Sequence, residues 1–351
     1  MEYENTAALQ KKEYPALDIA KLAMAIVVVL IHRPLVKDGL LRFLMSDNSM
    51  LSVAVPFFFV TSSFLFFRKL RQPGIEPKKA LVRFEKRLLL LYITYSAVFF
   101  PVDFLKTYCG ELAQMTFRTF AAFVVQYARI SLLDASFIHL WYINTLMLTV
   151  FAVYLLTRTV ENKTAVLCIA AAEFLLMCLL FLFNPDWTAP IPKLLTNTIR
   201  IGFPCVCAGY FAAQCSDNVR RIEMLMFPLF WLLLLGSSIL SYPNQTVIWK
   251  CVRMFFAYIT AFSILRFCIA IPLRSSPVYK TVRAYSTLIY FLHLLLFSEL
   301  LSFVAAHTGI YALTEPGLLR FSLTLGLAVI EASCILLLQK KKAFRFLRYL
   351  Y

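Results

Sequence analysis

Apolar residues run along this chain in blocks of about twenty, separated by short polar stretches rich in lysine and arginine. Blocks long enough to cross a bilayer fall at roughly 17–36, 50–67, 88–105, 139–157, 164–183, 197–214, 224–241, 249–271, 284–304 and 317–339. The pattern predicts ten transmembrane helices. One more stretch, 112–130 (LAQMTFRTFAAFVVQYARI), is amphipathic and carries two arginines, so it is expected to lie along a surface. Strand-type alternation is weak, which argues against a β-barrel. No repeat or linker interrupts the series, and the chain reads as one domain, 1–351. The expected fold class is all-α, a polytopic membrane protein.

Composition makes that reading firm. The 351 residues are 61% hydrophobic and only 15% charged, with a mean hydropathy of +0.75. Soluble domains carry about a quarter charged residues. Of the nine cysteines, most lie inside apolar runs (Cys168, Cys178, Cys205, Cys207, Cys251, Cys268, Cys334), where a small soft hydrophobe suffices. Cys205 and Cys207 point in different directions on a helix, so no metal site is expected there.

A net charge of +16 could suggest nucleic acid. In a membrane protein, topology explains it first, because basic residues collect in cytoplasmic loops. Between the second and third blocks lie Arg68, Lys69, Arg71, Lys78, Lys79, Arg83, Lys86 and Arg87, against only Glu76 and Glu85. Lys11 and Lys12 precede the first block, and Lys340, Lys341, Lys342, Arg345 and Arg348 follow the last. Both termini are therefore expected in the cytoplasm, which needs an even number of spans. The polar first sixteen residues do not read as a cleavable signal peptide, and no hydrolase-like domain is expected after the last span.

Within the first block, KLAMAIVVVLIH places ten residues between Lys21 and His32. Eleven helical steps rise about 16 Å and turn about 20° past three full turns, so both groups share one face. Ionisable groups in a span ordinarily face the bundle interior or a water-filled path. The alternative is that Lys21 snorkels to the inner interface and His32 caps an interfacial end.

Three other segments read together with the first: VPFFFVTSSFLFFRKL (55–70), HLWYINTLML (139–148) and YSTLIYFLHLLLF (285–297). In their order and spacing the chain resembles the acyltransferase-3 family of integral membrane acyltransferases. The resemblance implies transfer of an acyl group, usually acetyl from acetyl-CoA, to a glycan or related acceptor outside the cytoplasm. It makes His32 the catalytic histidine and Lys21 its basic partner. Two departures stand out. Ser62-Ser63-Phe64-Leu65 replaces the family's Ser-Gly-Phe-Leu, which removes a glycine from a close helix contact. Arg83-x-x-Lys86, followed by Arg87, replaces Arg-x-x-Arg and exchanges a bidentate guanidinium for an ammonium. The stretch 198–212 also resembles the membrane half of vancomycin-resistance serine racemases.

On this reading neutral His32 is the general base that takes the proton of an attacking hydroxyl. Arg83, Lys86 and Arg87 are expected at a cytoplasmic mouth for the phosphates of acyl-CoA, or else they only set topology and touch anionic lipid. His139, Trp141, Tyr142 and His293 are candidates for acceptor contact, with interface anchoring and a structural interhelical hydrogen bond as the plainer readings. His307 reads as solvated. Asp103 and Asp134 are candidate orienters of His32, and Glu173, Glu299 and Glu331 are expected to pair with Arg200 or Arg253 or to form a proton path. Expected partners are membrane lipid and an envelope glycan, with no nucleic acid and no metal. The expected location is a bacterial plasma membrane. The rival function is a transporter or polysaccharide exporter, in which the Lys21–His32 face lines a path. Paired helix breaks would favour it, and only Gly202 and Pro204 mark one.

Overall fold

A computed structural model describes residues 13–108, 115–134, 139–184, 186, 191–294 and 315–351. Among them the regular structure is helical: α1 (Pro15–His32), α2 (Gly39–Leu44), α3 (Ala54–Leu70), α4 (Pro77–Tyr108), α5 (Phe117–Leu133), α6 (Trp141–Thr159) and α7 (Lys163–Phe183). There follow α8 (Lys193–Asn197), α9 (Phe203–Gln214), α10 (Arg221–Ser241), α11 (Val247–Ala270), α12 (Pro277–Leu292) and α13 (Leu318–Leu338). A 3₁₀ turn, Met50–Val53, leads into α3, a π-helical stretch, Thr198–Gly202, joins α8 to α9, and a 3₁₀ stretch, Lys342–Leu350, follows α13.

Seven of these helices are long and apolar enough to cross a membrane, counting the turn with α3: Pro15–His32, Met50–Leu70, Pro77–Leu105, Lys163–Phe183, Arg221–Ser241, Val247–Ala270 and Leu318–Leu338. They occupy seven of the ten predicted positions. Two of the other three have identifiable local causes, and the third runs out of the described residues. Helix α6 carries Asn144, Thr145 and Thr149 on its buried side, which lowers its hydropathy. The rod at 193–214 is divided by the π-helical stretch, at the place where Gly202 and Pro204 predicted a break. The segment after α12 lies outside the described residues from 295 to 314, and with it Glu299 and His307; so do Lys11 and Lys12.

Local chemistry starts the helices. Pro15 and Pro277 stand in the first turns of α1 and α12, where a missing N–H costs nothing. Asn162 accepts from the N–H of Thr164 (2.8 Å) at the start of α7, and Thr116 and Thr119 cap α5 reciprocally. Helix α5 is the predicted amphipathic piece. It buries Phe123 and Tyr127 against Phe100 on α4 and leaves Phe117, Val125 and Leu132 exposed.

Helix α3 is the centre of the bundle: 72% of its apolar window is buried, against 17% for α7 and α13, whose leucines face outward. Its Phe57, Phe59 and Phe64 are fully buried. Helix α9 lies directly against it. A Cβ built on Gly209 would stand 1.9 Å from Ser63 Oγ and 2.5 Å from the Val60 carbonyl. The close glycine contact expected to be lost with Ser62-Ser63 is therefore present, with the glycine on the opposite helix. Gly202 likewise faces Thr149 Oγ1, at 2.3 Å from a built Cβ. Arg68 and Arg71, from the end of α3, donate to the Ala213 carbonyl at 2.8 and 2.7 Å, closing orphan acceptors in the last turn of α9. Arg68 also pairs with Asp217 at 2.5 Å.

Candidate active site

Three histidines from distant parts of the chain meet at one end of the bundle. His32 ends α1, His139 sits just before α6, and His293 caps α12. The His32 and His293 ring centroids are 5.3 Å apart, and those of His139 and His293 are 5.5 Å apart. Close packing of α1 along α12 places two of them. The third is held by aromatic contacts, with Phe99 at 5.0 Å and Tyr290 at 6.3 Å from the His139 ring.

The three rings are held differently. His293 Nδ1 donates to the Tyr290 carbonyl at 2.8 Å, with the Ile289 carbonyl at 3.2 Å. The Phe291 backbone acts on the His139 ring, whose centroid is 6.2 Å from that of the Phe291 ring. His139 and His293 are each only 2% exposed. His32 is half-buried, and no hydrogen bond to its ring is found among the described residues. Behind the histidines, the Tyr290 hydroxyl donates to the His139 carbonyl at 3.4 Å. Tyr142 lies against α3: its hydroxyl is 2.9 Å from Ser62 Oγ and donates to the Phe58 carbonyl at 3.2 Å. Trp141 packs beside Phe59 at 6.2 Å. The three imidazoles are not disposed as ligands around an ion, and no other metal-ligand cluster occurs among the described residues.

At the other end of α1, buried Asp18 takes a two-pronged ion pair from Arg283, with Nε at 2.9 Å and Nη2 at 2.7 Å. Lys21 is one helical turn along, and the charges of Asp18, Arg283 and Arg87 all act on it. The Arg87 charge is within electrostatic reach of Lys21. Arg83, Lys86 and Arg87 are all exposed on α4, and Arg83 Nε contacts the Lys79 carbonyl at 3.4 Å. Neither Arg283 nor Asp18 is among the candidates the sequence offers, and the one signal for Asp18 is local: it lies three residues before Lys21 and hence on its face.

The acids fall elsewhere than expected. Asp134 pairs with Lys193 at 3.3 Å, and the carboxylate whose charge reaches His32 is Asp47. Asp103 has a partner of its own. Arg253 bonds Ser241 Oγ and lies over the Phe43 ring at 5.6 Å, while Arg200 bonds Asn197 at 3.3 Å. Neither forms an ion pair with Glu173 or Glu331 among the described residues. Both carboxylate oxygens of Glu173 are buried without a hydrogen bond.

An all-helical chain with seven apolar helices of membrane length is a multi-pass membrane protein. Residues 14–337 match the family model for the acyltransferase domain of acyltransferase-3 proteins. The chain belongs to that family, and its class is membrane acyltransferase. No curated protein and no solved structure matches it.

Proposed function

We propose that the chain moves an acyl group, acetyl in the simplest case, from cytoplasmic acyl-CoA to a hydroxyl of a glycan or other envelope acceptor on the outer side. Both termini then lie in the cytoplasm of a bacterial plasma membrane, with ten spans in one domain. The observation that carries this reading is the layout of α1. One end carries the Arg283–Asp18 pair and lies within the field of Arg87, and the other meets His139 and His293. Acyl-CoA has phosphates and a thioester at opposite ends of a long flexible arm. Lys21 and His32, about 16 Å apart along one helix face, suit those two ends.

Lys21 and Arg87, with exposed Arg83 and Lys86 further along α4, attract the donor's phosphates. His32, the one imidazole open to the site, takes the acceptor hydroxyl proton as that oxygen attacks the thioester carbonyl. The tetrahedral intermediate collapses, the C–S bond breaks, and the leaving thiolate recovers the proton from His32. His139, Trp141, Tyr142 and His293 wall the acceptor side, and lipid surrounds the bundle.

Binding and slow thioester cleavage of labelled acetyl-CoA by purified protein test the proposal. Wild type should bind and turn over, His32→Ala should bind only, and Arg83→Ala/Arg87→Ala should lose binding. Absence of affinity at about millimolar acetyl-CoA would overturn it, and the Lys21–His32 face would then be the lining of a transport path.

A further inference from the structure

His293 has one nitrogen committed and one in waiting. Its Nδ1 faces two backbone carbonyls, at 2.8 Å and 3.2 Å. A carbonyl can only accept, so Nδ1 carries the proton and Nε2 of the neutral ring is a bare lone pair. That Nε2 is buried and has no hydrogen-bond partner. Buried polar atoms are nearly always satisfied, so the lone pair is a vacancy for a donor.

The neighbours decide which donor. The His139 ring is centred 5.5 Å from that of His293 and lies beside the Phe291 backbone, which acts on it. The Tyr290 hydroxyl donates to the His139 carbonyl, and the Tyr142 hydroxyl is engaged by Ser62 and Phe58. Arg33, next to His32, donates to the His32 carbonyl at 3.2 Å. Asp47, the acid acting on His32, is exposed and accepts from Asn48 at 3.1 Å. His32 has a ring without a fixed hydrogen bond, centred 5.3 Å from that of His293. At that separation a rotation of the His32 ring, or a bridging water, would bring one of its N–H groups to His293 Nε2.

We propose that His293 is a positioning residue for His32: its backbone-locked Nε2 takes a hydrogen bond from one His32 nitrogen and leaves the other as the lone pair that faces the acceptor hydroxyl. A free imidazole divides between two tautomers, only one of which presents its lone pair correctly. The same bond persists when His32 becomes the imidazolium, and it holds the ring until the leaving thiolate takes the proton. His293 walls the site but acts on the reaction through His32, since its buried Nε2 is the atom that takes the hydrogen bond. This inference rests on His32 being the base.

The test uses full-length protein in lipid nanodiscs with ring-¹⁵N histidine, compared as wild type, His293→Phe and His293→Gln. Wild type should show His293 as the Nδ1–H tautomer and His32 as a single tautomer. His293→Phe should make His32 a tautomer mixture and lower the kcat of acetyl-CoA turnover about 100-fold, with KM changed less than about threefold. His293→Gln, which restores an acceptor, should recover the single tautomer and much of kcat. An Nε2–H tautomer at His293, or an unchanged His32 spectrum in His293→Phe, would overturn the proposal. Correct tautomers without acyl transfer would leave the positioning in place and remove the acyltransferase reading instead.

Discussion

His32 and His293 come from the first and twelfth helices, yet their rings are centred 5.3 Å apart, one open to the site and the other locked to its own backbone. That asymmetry separates the roles of two chemically identical side chains. A base must reach its substrate, and of the two only His32 has an accessible ring.

Replacing His32 with glutamine preserves much of the side chain's size and polarity but removes its basicity. Turnover should fall about 10²- to 10⁴-fold, while acetyl-CoA binding changes little. Equilibrium binding and single-turnover cleavage on the same preparation separate the two quantities. Lost binding would place His32 at the donor instead.

Opposite changes at the inner pair should have opposite signs. Asp18→Asn removes the buried acid that neutralises Arg283. It should tighten acyl-CoA binding about threefold to tenfold at low salt. Arg283→Gln should weaken it by a similar factor and leave Asp18 to neutralise Lys21. Isothermal titration at two ionic strengths distinguishes this from a general loss of fold, which would weaken both variants.

Gly209→Ala forces a methyl group into Ser63 Oγ and the Val60 carbonyl. The variant should lose about 1–3 kcal/mol of stability, read as an earlier thermal transition in detergent. Adding Ser63→Gly removes only the first clash. Rescue should therefore be partial, because the second obstacle is backbone.

Arg68→Met leaves the Cys215 carbonyl and the carboxylate of Asp217 without their guanidinium donor and takes one of two from the Ala213 carbonyl. A destabilisation of about 1.5–3 kcal/mol is expected. Because Arg71 still reaches the Ala213 carbonyl, Arg68→Met/Arg71→Met should cost more than either single change, as measured by detergent unfolding.

Runs of apolar residues made the helices legible in the sequence, since a segment in lipid must satisfy its backbone internally and helices do so locally. The same reasoning found the amphipathic α5 and the break at Gly202 and Pro204, because moments and breakers are properties of one segment. It also picked out Lys21, His32, His139 and His293 as polar groups in apolar surroundings, and from its motifs it named the family that residues 14–337 match.

Tertiary structure alone decided which of these groups meet. Nothing near Arg283 in the chain points to Asp18, nothing near Ser63 points to Gly209, and the sequence around Tyr142, read as an acceptor contact or an interface anchor, does not point to Ser62. Helix formation is written in contacts a few residues apart. The packing of α1 on α12 and of α3 on α9 depends on which side-chain surfaces fit across helices far apart in sequence, and a hydropathy pattern does not encode that fit.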